Sequence, residues 1–537
     1  MRILFIFVPL LFLLTTTSSN AAEHFYCDCQ TGASNQCVAG SDSNDGLSNL
    51  SPKKSFADAN AKFNAFSAGD SIKLCRGGVF SSAAKYTWVN TNCNASNTCK
   101  VTSFDLPNQT SPQLKRPKIV QTINTHLFSL ADSGNSDPDG GYEFSNLDLT
   151  CPGCLRGGAS AFFLFNDVDD VLIQNISMDG FNLGVSLQKS NTINTGNGKL
   201  DNITIKNSQI INSIRQGIQG GAENLTIEGL YFENNGEGTI FDHHIYISRG
   251  NNITIKNNEL YRSSLDANGN CAGAPLVVHG TIDTLLIENN YVHEDVGKAN
   301  RGCWGIAVDN GYSVPEKFTN VTIKNNKVVN VGNLAIGVTS CVNCVIENNV
   351  IFQQQAFSTT GIRAPNKTRA DDDFPMSNIT VRNNSYYTTI AGTGIDVGVE
   401  GKEHIITSNA IHYTGAGKFA CFNFNIASSS YTAIDNNTCF LPNASGTSEW
   451  EKGAGTGLSA WQVQSGLGAN SKNVDPQFTD PTLPLVDLSL KSTSSLRDTG
   501  HSTQSSTKDY RGKSRATPDI GAFEFGTFNP PAKTKGY

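Results

Sequence analysis

The chain has 537 residues; 16% are charged, against roughly a quarter in an average protein. The 40 Lys and Arg set against 47 Asp and Glu leave a net charge of −7. That balance carries no basic footprint, so nucleic acid is excluded as an expected partner.

Met1 to Ala22 begins with Arg2, runs through an apolar core from Ile3 to Leu14 and ends in Ser-Asn-Ala-Ala, the pattern of a secretory leader cut near Ala22. The apolar run is too short to span a bilayer, and no later stretch offers a span. A soluble, exported chain is therefore expected, extracellular or periplasmic. Fourteen cysteines in such a chain predict disulfides, although their pairing cannot be read from spacing. Cys151-Pro-Gly-Cys154 and Cys341-Val-Asn-Cys344 have the spacing of redox or zinc pairs, but in this compartment a disulfide or packing role is the better reading.

Residues 23–117 are not repetitive and read as an N-terminal cap with the first strands. They hold Phe25-Tyr-Cys-Asp-Cys29, Gly40-Ser-Asp-Ser-Asn-Asp-Gly-Leu47, a predicted helix from Ser55 to Phe66, and Gly69-Asp-Ser-Ile-Lys-Leu-Cys-Arg-Gly-Gly-Val-Phe80. The Gly40–Leu47 and Gly69–Phe80 phrases resemble the opening of secreted right-handed β-helix polysaccharide lyases of the chondroitinase B and alginate lyase type. That resemblance implies a solenoid whose open end needs a cover.

Residues 118–440 carry an internal repeat: Asn202-Ile-Thr-Ile-Lys-Asn, Asn224-Leu-Thr-Ile-Glu, Asn252-Ile-Thr-Ile-Lys-Asn-Asn, Leu285-Leu-Ile-Glu-Asn-Asn, Asn320-Val-Thr-Ile-Lys-Asn-Asn and Cys344-Val-Ile-Glu-Asn-Asn. Matching isoleucines recur at 22 residues (Ile205 to Ile227) up to 36 (Ile287 to Ile323), a solenoid period with insertions between repeats. Ile203 and Ile205 share one face and Thr204 and Lys206 the other, the alternation of a strand buried on one side. A second apolar pair follows each phrase, as in His244-Ile-Tyr-Ile247, Leu276-Val-Val278 and Gly305-Ile-Ala-Val308. Two strands per repeat, joined by Asn-Asn or Gly corners that tolerate left-handed backbone, predict an all-β chain folded as a right-handed parallel β-helix. Many Asn-x-Ser/Thr sequons, among them Asn202, Asn224, Asn252, Asn320 and Asn378, arise from the repeat itself, and glycosylation is assigned to none of them in particular.

Residues 441–537 close the chain. Asn473-Val-Asp-Pro-Gln-Phe478, Asp509-Tyr-Arg-Gly512 and Pro518-Asp-Ile-Gly-Ala-Phe-Glu-Phe525 resemble the ending of the same broad group of secreted β-helix proteins.

Aligning the second strands by their inward isoleucines predicts two outward columns. The first reads Gln219, Tyr246, Val277, Ala307, Gly337, Arg363, Asp396; the second reads Gly221, Ser248, His279, Asp309, Thr339, Pro365. Coils about 4.8 Å apart make His279 and Asp309 lateral neighbours, with Tyr246 on the diagonal, a group fit for acid–base work. The alternative is a surface pair of little energetic weight. His244 and Arg249 lie in the dense run Phe241-Asp-His-His-Ile-Tyr-Ile-Ser-Arg249 and complete the candidate catalytic set. His244-Ile-Tyr-Ile-Ser-Arg249 resembles a His-Gly-Ile-Ile-Ile-Ser-Arg phrase of periplasmic mannuronan C5-epimerases, which implies that Arg249 meets a substrate carboxylate. The Asp-Pro-His motif of those enzymes has no counterpart here. Asp242 aligns with Arg215 and predicts an ion pair.

Two insertions, Arg262 to Ala274 and Val292 to Trp304, enter just before the strands of His279 and Asp309 and read as groove walls. Cys271 and Cys303 hold equivalent places in them and predict a disulfide. Gln219, Arg363, Trp304, Lys298 and Arg301 are the candidate substrate-binding residues. No metal-ligand set is assigned and the cofactor is undetermined: Asp371-Asp-Asp373 is a run that can bind Ca²⁺, with a solvated acidic loop as the better alternative.

These features together predict a monomeric protein acting on an acidic, uronate-containing polysaccharide by β-elimination. C5-epimerisation shares the same opening step. A glycoside hydrolase is a further alternative, requiring two carboxylates, although the polygalacturonase pattern of an Asp-Asp pair followed by Gly-His-Gly and Arg-Ile-Lys is missing. A non-catalytic polysaccharide-binding or surface protein is the last.

Overall fold

The structure, a computed structural model, describes residues 21–107, 114–132, 139–189, 198–365, 370, 373, 375–398, 401–424, 428–443, 449–451 and 457–526. Most of the expected leader lies outside the described residues, as do Asp371 and Asp372 of the acidic run.

The chain is a parallel β-helix. A representative coil runs through Ile253–Lys256, turns at an asparagine pair, continues as Glu259–Tyr261 and returns as Leu276–Val278. Each of these strands pairs in parallel with its equivalent in the next coil. Strands of the first two kinds form one 25-stranded sheet, and strands of the third kind form a 13-stranded sheet. Coils thus have three strands where alternation predicts two. The additional strand is three residues long with a single inward side chain, Leu260 or Phe232, too few for a period of two to register.

The core is the stack of inward residues, Ile203, Ile205, Ile227, Ile255, Ile287 and Ile323 among them, all without solvent exposure. Burying each such side chain stabilises the fold by about 1.5–3 kcal/mol. At the corner the first asparagine adopts left-handed backbone (Asn257 φ 57°, Asn325 φ 56°, Asn383 φ 52°). The second turns inward: Asn258, Asn290, Asn326, Asn349, Asn384, Asn409 and Asn437 form a buried ladder in which each Nδ2 donates to the next Oδ1 at 2.9–3.0 Å. The ladder satisfies polar groups that would otherwise be stranded in the core. A second, exposed ladder runs through the sequon asparagines: Asn252 Nδ2 donates to Asn224 Oδ1 at 2.6 Å and Asn378 Nδ2 to Asn343 Oδ1 at 2.9 Å. The nitrogen that a glycan would take is thereby engaged.

Parallel pairing begins at the first described strand, Glu23–Tyr26 against Ser71–Cys75. Helix α1 is shorter than predicted, Ala59–Asn64, because Phe56 turns into the core and packs edge-on to Tyr26 at 5.6 Å. Phe63 of α1 stacks on Trp88 at 4.1 Å and covers the end. At the other end helix α2, Leu458–Ser465, brings Trp461 to 5.7 Å from Trp450. The remaining C-terminal segment runs back along the flank, where Phe478, Leu488, Leu490 and Phe523 pack on Val329, Val350 and Phe352.

All fourteen cysteines pair. Both CxxC pairs close on themselves, Cys151 with Cys154 and Cys341 with Cys344, and Cys271 pairs with Cys303 as the insertions predict. Among the described residues no helix is long and apolar enough to cross a membrane.

Candidate active site

The register of the 13-stranded sheet aligns Gln219, Tyr246, Val277, Ala307, Gly337, Arg363 and Asp396 in one outward column, as the inward isoleucines predict. After Tyr246 the column drops to small side chains. A pocket of about 410 Å³ opens beside Tyr246, and Ala274, Val277 and Ala307 form a buried cluster against which Tyr246 and Trp304 pack. Trp304, at the end of the second insertion, lines the pocket, and the Cys271–Cys303 disulfide ties that insertion to the first. Trp304 is steadied by its Nε1–H, which donates to Asn333 Oδ1 at 2.7 Å.

Of the predicted residues, His279, Asp309, Tyr246, Gln219 and Trp304 line this pocket together. The Tyr246 and His279 rings lie 5.7 Å apart. The carboxylate that meets His279 is Glu316, whose Oε1 lies 3.2 Å from Nδ1. Asp309 accepts from Thr339 Oγ1 at 3.2 Å, and Glu316 holds the place beside the imidazole that was expected of Asp309. The approach of Glu316 to His279 is a charge contact; the hydrogen bond at Nδ1 comes from the Gly311 N–H, which donates to it at 3.4 Å. Glu316 is itself buried and fixed, with Oε1 accepting from Gly280 N at 2.7 Å and Oε2 from Tyr312 N at 2.8 Å. A side chain at Gly311 would meet the imidazole Cε1 at 2.6 Å, so the loop approaches His279 this closely because that position has none.

Tyr312, 48% exposed, completes the centre. Its Oη lies 2.7 Å from Tyr246 Oη and its ring 4.7 Å from that of His279. Burial, reinforced by the bond to Tyr312, pushes the Tyr246 hydroxyl well above its ordinary value, so it stays protonated at neutral pH. His243 lines the pocket beside it, with its ring stacked 5.7 Å from Tyr246 and its Nδ1 2.8 Å from Ala274 O. Burial lowers His243 to about 4, which keeps it neutral and makes it a weak base.

Five predicted residues stand elsewhere, and His244 is the clearest correction. It points inward, fully buried, with Nδ1 3.0 Å from Asn235 Nδ2 and Nε2 2.9 Å from Tyr261 O; it sits at the bend before Ile245–Ile247, where the alternation that turns Tyr246 outward does not yet apply. Arg249 leaves the pocket and reaches two coils back, donating to Leu187 O at 2.8 Å and Gln188 Oε1 at 3.3 Å. Arg363 lies three coils beyond Val277 and pairs with Asp396 at 3.3 Å. Lys298 and Arg301 are exposed on the wall and do not line the pocket. The cation in the lining is Arg215, whose Nε lies 3.4 Å from Asp242 Oδ1; Arg156 holds the other carboxylate oxygen. The predicted Arg215–Asp242 pair is thus present.

Tyr312 and Glu316 were not legible as site residues. Their one signal is the length of the Ile287–Ile323 interval, which the eight residues from Asp309 to Glu316 help to fill.

No protein-family model and no curated protein matches the sequence. Among solved structures the chain is similar to an alginate lyase from Paenibacillus sp. strain FPU-7, at 13% identity over 59% of this chain and 97% of that one, with a TM-score of 0.37. It is similar to the pectate lyase Pel9A at 15% identity over 94% and 97% of the two chains, TM-score 0.38. It is also similar to the A-module of an Azotobacter vinelandii mannuronan C-5 epimerase at 11% identity over 76% and 91%, TM-score 0.34. At such values no residue-by-residue equivalence follows, and the chemistry rests on the side chains described above.

Calcium does not fit this pocket. The ion takes six to eight oxygen ligands, and the described lining offers one carboxylate, Asp309. Asp373, from the acidic run, is committed to structure: its Oδ1 accepts from Glu316 N at 3.0 Å and its Oδ2 from Asn310 Nδ2 at 2.8 Å. Glu294 lies close to the sulfurs of Cys271 and Cys303, but these are joined to each other and offer no thiolate.

Proposed function

We propose that the protein is an exported carbohydrate-active enzyme that cleaves a uronate-containing polysaccharide by β-elimination in this pocket. The observation that carries the reading is the convergence of a histidine with a carboxylate beside it, His279 and Glu316 at 3.2 Å, with a paired hydroxyl, Tyr246 on Tyr312 at 2.7 Å. The His279 imidazole takes the proton from C5 of the uronate. The electrons of the broken C5–H bond form the C4=C5 double bond, the C4–O4 bond breaks, and Tyr246 gives its proton to the departing O4. Arg215 faces the substrate carboxylate, whose charge must be quenched as C5 loses its proton. The aromatic walls Phe241, Trp304 and Tyr312 present ring faces to the apolar faces of the sugars.

A lining with a single carboxylate favours this chemistry over hydrolysis, which needs two at roughly 5 to 9.5 Å. Epimerisation shares the first step and differs in the fate of the C5 carbanion. The test is to incubate the purified protein with alginate, pectate and glycosaminoglycans and to follow ultraviolet absorbance of the new double bond, reducing ends and C5 proton exchange. Unsaturated ends from wild type, with none from His279→Ala, are expected. Reducing ends without unsaturation, or no difference between wild type and His279→Ala on any of the polymers, would refute the proposal.

A further inference from the structure

The outward column continues past the pocket toward the N-terminal end. The register runs from Tyr246 to Gln219, from Gln219 to Ser186 and from Ser186 to Phe163, placing Phe163 three coils, or about 14 Å at the usual strand spacing, from Tyr246. Phe163 is half-buried and Phe165, two residues on, is 36% exposed. Their rings stack at 5.8 Å and 13°, and His126 stacks on Phe163 at 4.3 Å. Between this platform and the pocket the sheet surface is polar: Gln188, beside Phe165 in register, donates to Ser186 Oγ at 3.1 Å and accepts from Arg249.

We infer that the pocket is one end of a longer binding strip, and that the Phe163–Phe165 platform holds a sugar ring of the same polysaccharide chain roughly three residues from the bond that reacts. Resting on the proposed function, this reading adds a distal subsite. Phe165, backed by the stacked Phe163 and His126 rings, offers an apolar ring to solvent outside the core, and such a ring suits the apolar face of a sugar. The area is far below the roughly 800 Å² per partner that a stable protein interface needs, which favours a glycan over a second copy of the chain. Polar groups along the strip, with the Arg249 cation among them, suit the hydroxyls and carboxylates of a chain lying between the two aromatic ends.

The test is affinity electrophoresis of the intact protein through gels containing alginate, pectate or a neutral glucan, with dissociation constants for trisaccharides and longer oligomers measured alongside. Phe165→Ala is expected to weaken polymer binding about tenfold, Phe165→Tyr to bind as wild type, and trisaccharide affinity to be unchanged in both. Binding lost in Phe165→Ala would therefore support the subsite even if the wild-type protein turned over none of these polymers. Polymer affinity unaffected by Phe165→Ala, equal losses on trisaccharide and polymer, retention by none of the gels, or a wild-type dimer that Phe165→Ala dissolves would each overturn it. Phe163→Leu, which keeps the volume and removes the ring, guards against a folding defect: it should weaken polymer binding while melting as wild type does.

Discussion

Glu316 Oε1 stands 3.2 Å from His279 Nδ1, although the two residues belong to different turns of the chain and neither lies in a recurrent phrase of the repeat. Glu316→Gln keeps an acceptor for only one of the Gly280 and Tyr312 amides, which bond the two separate oxygens, and removes the charge beside the imidazole. Turnover should fall on the order of 10²-fold with KM little changed, measured as the initial rate of double-bond formation. An unchanged turnover number would remove Glu316 from the mechanism.

Tyr246→Phe deletes the proton donor and should cost about 10²- to 10⁴-fold in turnover. Tyr312→Phe should cost less, because Tyr312 acts through its bond to Tyr246. The double variant should be no worse than Tyr246→Phe, a failure of additivity expected for groups that work as one. Additive losses would mean that each tyrosine acts separately.

Burial raises the carboxyl of Glu294 from an ordinary value near 4.5 to about 8, while the Arg262 and Ser263 amides point at its Oε1. The folded chain keeps this proton up to about pH 8, whereas the unfolded chain releases it near pH 4.5. The associated stability is full below pH 4.5 and is lost progressively as pH rises through 8, by on the order of a few kcal/mol. Glu294→Gln should flatten the dependence of melting temperature on pH across that window and melt above wild type at pH 8.5. A variant curve parallel to that of wild type would show that Glu294 is ionised in the fold.

Replacing Cys271 and Cys303 by serine frees the two insertions from each other. Closing a loop of 32 residues stabilises by about 2–4 kcal/mol, so the variant should melt several degrees lower. KM should rise as the Trp304 wall loosens, with turnover less affected. Calorimetry and steady-state rates read the two effects separately.

The two asparagine ladders should differ in cost. Asn326→Ala strands the buried Ile287 carbonyl and the Asn290 amide and should destabilise by about 3 kcal/mol or more. Asn252→Ala leaves Asn224 able to bond water and should cost about 1 kcal/mol or less. Denaturant midpoints of the two variants decide this, and similar losses would refute the distinction.

The β-helix, its asparagine corners and the outward column through Tyr246 were all legible in the amino-acid order, because a solenoid repeats one local pattern and each repeat meets only its neighbours. Knowing the inward isoleucines therefore predicts which outward residues lie side by side, as Gln219, Tyr246, Val277 and Arg363 do. That rule does not reach His244, which sits at the bend before Ile245–Ile247 and is buried, while its neighbour His243 lines the pocket. The loop from Asp309 to Glu316 obeys no repeat. Its path over His279 depends on the bare approach at Gly311 and on the Asp373 carboxylate that receives the Glu316 amide. Those are contacts between segments far apart in sequence, and packing alone decides them.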